Sequence, residues 1–222
     1  MAKQLFETFD GGDVTDTILK EAASLFNEQY GIWGPGPANS EPVPKQGSRV
    51  KLSKDHLRAQ YLPNNVDCFY VRVTIDDKLA GNVFACRWRA KDRTVCWITQ
   101  LVVHGDYRER GLATFLLNGL RRDGDAIYGL MSSHPAASLA AARSFGHGIN
   151  SVPTSFIRDN AKRVMEQSPT DCVRYGELDG NLFDATDTSG VVSSVCTNFF
   201  VDPTQPLEAL GWVRKRAGLA FW

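Results

Sequence analysis

Neither sign of charge is in excess: 25 Lys and Arg balance 25 Asp and Glu, so the formal net charge of the 222 residues is zero. Dedicated nucleic-acid binders usually carry a basic surplus, so nucleic acid is not an expected partner. No run of about 18 apolar residues occurs, so neither a membrane-spanning helix nor a membrane partner is expected. The N-terminal MAKQLFETFDGGD has no long apolar core of the kind a secretory leader needs. Cysteines are few, odd in number and never spaced CxxC: Cys68, Cys86, Cys96, Cys172 and Cys196. That excludes a tidy disulfide framework and fits a reducing compartment, cytoplasmic with the nucleus left open. Three of the five lie in strand-like apolar runs, where a free Cys acts as a small buried hydrophobe. The four histidines have no metal-ligand spacing, so no metal is inferred. Internal repeats and low-complexity tracts are also missing.

What is present is an ordinary globular composition, 43% hydrophobic and 23% charged. Residues 14–30, VTDTILKEAASLFNEQY, place Ile18, Ala22, Leu25 and Phe26 at helical spacing. The Gly/Pro/Ser-rich 31–48 that follows predicts a long loop. Ser53 is expected to cap a second helix, KDHLRAQYL. CFYVRVTI, LAGNVFACRWR and VCWITQLVV, separated by short polar turns, predict a β-meander over 68–103. A helix is predicted over Leu112–Arg122 and a short strand over 126–133. The alanine-rich helix predicted over 134–146 is stopped by Gly146. Farther on, TSFIRDNAKRVMEQS and PLEALGWVRKR read as helices, LDGNLFDATDTSG as turns, VVSSVCTNFFV as a strand and LAFW as a final strand. Arg87-Trp88-Arg89 reads as a cationic cluster on a solvated edge.

The stretch 98–117, ITQLVVHGDYRERGLATFLL, carries the most chemistry. An apolar strand, Ile98–Val103, runs through a polar turn into Arg108-Glu109-Arg110-Gly111-Leu112-Ala113 and an apolar helical pattern. Amides at a helix start have no partner inside the helix, and the helix dipole favours negative charge there. Strand, glycine turn and helix start together make a phosphate cradle, which points to a ligand carrying a pyrophosphate.

At this turn the chain resembles the GNAT superfamily, whose members move an acetyl group from acetyl-CoA to an amine. The family's signature of Gln or Arg, two residues, Gly, one residue, then Gly or Ala is matched by Arg108, Gly111 and Ala113. Val103 and Tyr107 match the hydrophobic and aromatic positions ahead of it. The preceding meander and the following strand and small-residue helix extend the resemblance over about residues 14–146. Beyond that the chain departs from the family: a long stretch intervenes before VVSSVCTNFFV, and a helix separates the two candidate closing strands.

The resemblance implies an α/β fold with a mixed, mostly antiparallel central sheet flanked by helices. It implies one domain over 1–222, with its core at 14–146 and a C-terminal insertion at 147–222. It further implies that the backbone of Leu101, Val102 and Val103 pairs with the pantetheine arm of acetyl-CoA. The amides of Glu109, Arg110, Gly111, Leu112, Ala113 and Thr114 would then receive the pyrophosphate. Arg108 and Arg110 either add positive charge there or face solvent. The amide of Leu101 would stabilise the oxyanion.

Two familiar catalytic positions are empty: where many relatives carry a Tyr the chain has Ala142, and where some carry a Glu it has Trp97. Ser133 and His134, at the end of the strand after the phosphate helix, are the substitutes. His134 reads either as a base near neutrality or as a helix-start residue. Tyr30 and Trp33, beside the Gly/Pro-rich loop, read either as acceptor-stacking aromatics or as anchors of that loop. The expected activity is acetyl transfer from acetyl-CoA to a primary amine of a small molecule by direct attack in a ternary complex, with a homodimer compatible. The alternatives are a protein (lysine or N-terminal) acetyltransferase and a catalytically degenerate CoA-binding module.

Overall fold

The computed structural model describes residues 3–36, 45–146, 148–197 and 199–217. His147 and the LAFW segment at 219–222, which the sequence reads as a strand, lie outside the described residues. The centre is a five-stranded sheet in the order β1 (Gln4–Asp10), β2 (Asp67–Ile75), β3 (Lys78–Ala90), β4 (Arg93–Val103) and β5 (Asp125–Leu130). Neighbours are antiparallel except β4 and β5, which run parallel. The meander follows from alternating apolar side chains and tight turns. Asp76 and Asp77, at φ 48° and 62°, supply the left-handed pair that a two-residue hairpin needs. β1 was not foreseen: QLFETFD joins the edge, with Arg72 of β2 gripping Glu7 at 2.8 Å.

Helices cover both faces. α1 (Asp16–Gln29) starts at Thr15, whose hydroxyl accepts from the Ile18 amide, and α2 (Lys54–Tyr61) starts at Ser53, as its sequence requires. Their apolar sides, Leu19, Ala22 and Leu57, bury Tyr70, Phe84 and Cys86. On the other face α3 (Leu112–Asn118) and α4 (Pro135–Phe145) set Leu116, Leu117 and Ala140 on Val83 and Ile98. α3 is shorter than predicted. Leu120 turns into the core, and Gly124, at φ 93°, returns the chain to β5.

The sheet stops at β5 among the described residues; the expected closing strand at 191–201 does not join it. α5 (Thr154–Glu166), α6 (Asp171–Arg174) and a small hairpin of β6 (Glu177–Asp179) and β7 (Ser194–Cys196) pack instead on Val95, Trp97 and Ile127. The apolar run 191–201 is thus divided. Its middle pairs with β6, while its end turns back to the loop after α1, ahead of α7 (Thr204–Ala217). There the segments 31–34, 47–50 and 200–202 form a three-piece ladder. The Trp33 amide donates to Ser48 at 2.9 Å, Gly34 to Phe200 at 3.0 Å, and Asp202 to Ile32 at 2.9 Å. Gly34 is needed here, because a Cβ would come within 3.0 Å of the Val201 backbone.

Arg87 is not on a solvated edge. β3 is an interior strand, and the guanidinium makes a two-pronged pair with Asp125 at 2.8 and 2.9 Å, their side chains 5% and 2% exposed. It also donates to the Leu120 carbonyl and lies over the Phe69 ring. Arg89, two residues on, is the exposed member of the cluster.

Candidate functional site

β4 extends to Val103, but its pairing with β5 ends at Ile98 opposite Leu130. One residue later Thr99 bulges out of the β3 register, and the two parallel strands part. Trp97 lies at the point of divergence. Its ring covers Gly129 so closely that a Cβ there would be 2.0 Å from the ring. Beyond the bulge, backbone groups alternate sides. The His104 amide reaches back to Ala80 of β3 at 2.9 Å, so the polar groups of Val102 also face β3, and those of Leu101 and Val103 face the gap. Val102 is therefore buried surface without a free backbone group, contrary to its expected pairing role.

The gap leads to the glycine turn. Glu109 and Gly111 both adopt left-handed backbone, φ 63° and 82°. At Gly111 a side chain would meet open space, so it is the backbone angle that requires glycine. The first helical donor of α3 is Phe115, to the Gly111 carbonyl at 3.0 Å. The amides of Gly111, Leu112, Ala113 and Thr114 consequently have no acceptor within the helix. Leu112 also drops its side chain into the core.

Gap and turn open into one cavity of about 780 Å³. It brings together Tyr30, Leu101, Val102, Val103, Arg108, Glu109, Gly111, Leu112, Ala113, Thr114, Ser133 and His134. Arg110 and Trp33 are not in its lining. Arg110 is exposed with its guanidinium over the Tyr107 ring, and Trp33 packs edge-on to Phe199 at 4.9 Å, anchoring the ladder. Tyr30 is stacked on Phe26 at 4.3 Å, with burial raising its phenol pKa, so its ring is both wall and anchor. The remaining wall was not anticipated. Ile32 and Arg49 come from the ladder, Arg143 from α4, and Asp202, Gln205, Glu208 and Trp212 from the C-terminal segment. Asp202 accepts from the Thr204 amide at 2.8 Å at the start of α7, and the Thr204 side chain and then that amide hold its carboxyl below the ordinary range. The helical pattern of 206–216 foretold α7 itself. Nothing local in it foretold which cavity the helix would line.

His134 caps α4. Its Nδ1 accepts from the Ala136 amide at 3.3 Å, and its own amide donates to Ser132 Oγ at 3.1 Å. Burial, and then the nearby Arg108 charge, lower its pKa below 6.5. The ring is thus neutral at neutral pH with its proton on Nε2: it offers a donor, while its basic nitrogen is already committed. Of the two readings of His134, the helix-start role is the one this geometry displays, and a base role would require Nδ1 to leave the cap.

The profile of the acetyltransferase (GNAT) family matches residues 25–145. The chain belongs to the GNAT acetyltransferase family. Its members take their acetyl group from acetyl-CoA, and the parted strands, orphan amides and joined cavity suit such a donor. No curated protein sequence matches this GNAT chain. Among solved structures it is similar to AAC(6')-Iy in complex with a CoA-S-monomethyl-acetylneamine bisubstrate analogue. The identity is 14% and the TM-score 0.43, over 67% of this chain and 95% of that one. It is similar too to an aminoglycoside acetyltransferase from an uncultured soil metagenomic sample in complex with sisomicin, at 15% identity and TM-score 0.41 over 64% and 86%. A third is the ribosomal-protein-alanine N-acetyltransferase of Brucella melitensis biovar Abortus 2308, at 16% and 0.38 over 58% and 80%. In this GNAT chain the familiar Glu and Tyr positions hold the buried Trp97 and Ala142. Among the described residues no group of His, Cys, Asp and Glu is placed to hold a metal.

Proposed function

We propose that the cavity is the transfer site of an acetyltransferase acting on a primary amine of a small molecule. In this reading the pantetheine arm lies in the gap between β4 and β5, donating to the outward-facing Leu101 carbonyl and accepting from the Val103 amide. The amides of Gly111 to Thr114 receive the pyrophosphate, where orphan donors and the helix dipole favour an anion. The acceptor enters past Tyr30, Ile32 and the C-terminal wall. Its free amine attacks the thioester carbonyl, and the proton its nitrogen sheds as the amide forms passes to water and on to the departing thiolate. The Leu101 amide stabilises the tetrahedral oxyanion, and collapse expels the thiolate, whose low basicity makes proton donation a minor need. His134, neutral and proton-bearing at Nε2, serves as a hydrogen-bond donor beside Ser133. The wall that the C-terminal segment adds to one side of the cavity favours a compact acceptor over a protein tail.

The observation carrying this reading is the meeting, in one cavity, of an unpaired strand edge and an unpaired helix start. Ala113→Glu tests it. Gly111 is a poorer probe, since any side chain there strains the backbone. A carboxylate in the first turn of α3 is harmless to the helix but faces the bound pyrophosphate. Acetyl-CoA affinity by calorimetry should fall about 100-fold or more, with the melting temperature preserved. Unchanged affinity removes the cradle from the argument. A wild-type protein that binds acetyl-CoA yet transfers to no member of an amine panel supports the degenerate binding module.

A further inference from the structure

Three of the five N–H donors of Arg108, the arginine of the glycine turn, are committed to acceptors away from the turn. Arg108 Nε donates to the Val103 carbonyl at 3.1 Å, and Nη2 donates to the carbonyl of Gln29, the last residue of α1, at 2.8 Å. Nη1 reaches Gln205 Oε1 in the first turn of α7 at 3.5 Å. These three acceptors belong to three different walls of the cavity: the open end of β4, the start of the Tyr30–Ile32 segment, and the C-terminal arm. Gln29 also reaches the turn from its side chain, its Oε1 accepting from the Gly105 amide at 3.0 Å. Arg108 is partly buried, and burial followed by the Arg49 charge lowers its pKa. Among the described residues no carboxylate is paired with it. A planar fork with donors pointing in fixed directions can bind three separated acceptors at once; an ammonium cannot.

We propose that Arg108 is a positioning residue that locks the acceptor wall and the C-terminal arm to the glycine turn, rather than a side chain that grips phosphate. Its effect on transfer, which rests on the reading of the cavity above, comes through the placement of Tyr30 and α7. Its charge adds only a diffuse attraction for an anion at the turn. The tie exists without any ligand, so it is measurable in the free protein.

The test is hydrogen exchange by mass spectrometry on ligand-free wild type, Arg108→Met, Arg108→Lys and Gln205→Ala, followed by acetyl-CoA calorimetry on each. In R108M, exchange at 29–34 and 200–208, including the ladder amides of Trp33, Gly34 and Asp202, should accelerate about tenfold or more, the scale of one lost charge-assisted hydrogen bond. R108K keeps the charge and loses the fork. It should show the same loosened walls with a smaller loss of acetyl-CoA affinity than R108M. Q205A should loosen 200–208 while 29–34 stays protected, and it keeps the test decisive if R108M does not fold. Walls unchanged in R108M while acetyl-CoA affinity collapses would make Arg108 a phosphate ligand and overturn the proposal. Walls and affinity both unchanged would overturn it too. If wild type binds no acetyl-CoA, the functional reading fails, while the exchange data still decide the tie.

Discussion

His134 shows how one side chain's local duty limits its chemistry. Its Nδ1 closes the first turn of α4, and burial together with Arg108 keeps the ring neutral. The folded pKa lies below 6.5, the unfolded value, so protonation favours the unfolded chain. Stability from this residue is fully present above about pH 6.5 and is lost as pH falls toward the folded value. His134→Ala should cost about 1 kcal/mol at neutral pH and flatten the decline of stability as pH falls below about 6.5, read from urea titrations. The acid limb of its rate profile should still follow the pKa of whichever acceptor is used. A limb below 6.5 that vanishes in H134A would restore the base role. At this scale the glycine of the turn was legible, because a left-handed helix start asks for glycine. The role of Arg108 was not, since two of its three acceptors are 79 and 97 residues away in sequence.

Among the elements, strands β3 and β5 are joined across β4 by Arg87 and Asp125. Burial alone would raise the Asp125 pKa. The Arg87 fork, with the Arg122 amide and the Tyr128 hydroxyl, holds it below the ordinary value. Removing one partner leaves a buried charge without its counterpart, so Asp125→Ala should destabilise the protein by about 3–5 kcal/mol in a denaturant titration. A loss under about 1 kcal/mol would mean that water reaches the pair. The sequence reading succeeded where an element's pattern and its partner were close together, as in the β2–β4 meander, the amphipathic α1 and the Ser53-capped start of α2. It missed β1, whose seven residues offer little alternation to read, and it overextended 191–201. That stretch is apolar because two different neighbours claim it, β6 and the loop after α1.

For the molecule as a whole, the family core supplies the cradle and the C-terminal segment supplies a wall. Composition and the motif of 108–113 indicated the fold class and the strand, glycine turn and helix start that open on the cavity. The acceptor side was illegible, because it is assembled from three segments far apart in the chain. Gly34→Val tests that assembly. Its side chain has no room against Val201, so the C-terminal arm should detach, and a nonspecific protease should cut between Cys196 and Thr204 faster than in wild type, by mass spectrometry of the fragments. Equal cutting rates would show that the arm is held by something other than the ladder.

The same ladder bears on time as well as shape. Trp33 meets Val201, a contact between residues separated by most of the chain, whereas the meander is built from near neighbours. Closing so long a loop carries an entropic cost that short hairpins avoid, so the sheet forms early and the wall late. During refolding there is consequently an interval in which the donor cradle exists while the acceptor side stands open. Under the proposed function, water rather than an amine would then be the nucleophile best placed to meet a bound thioester.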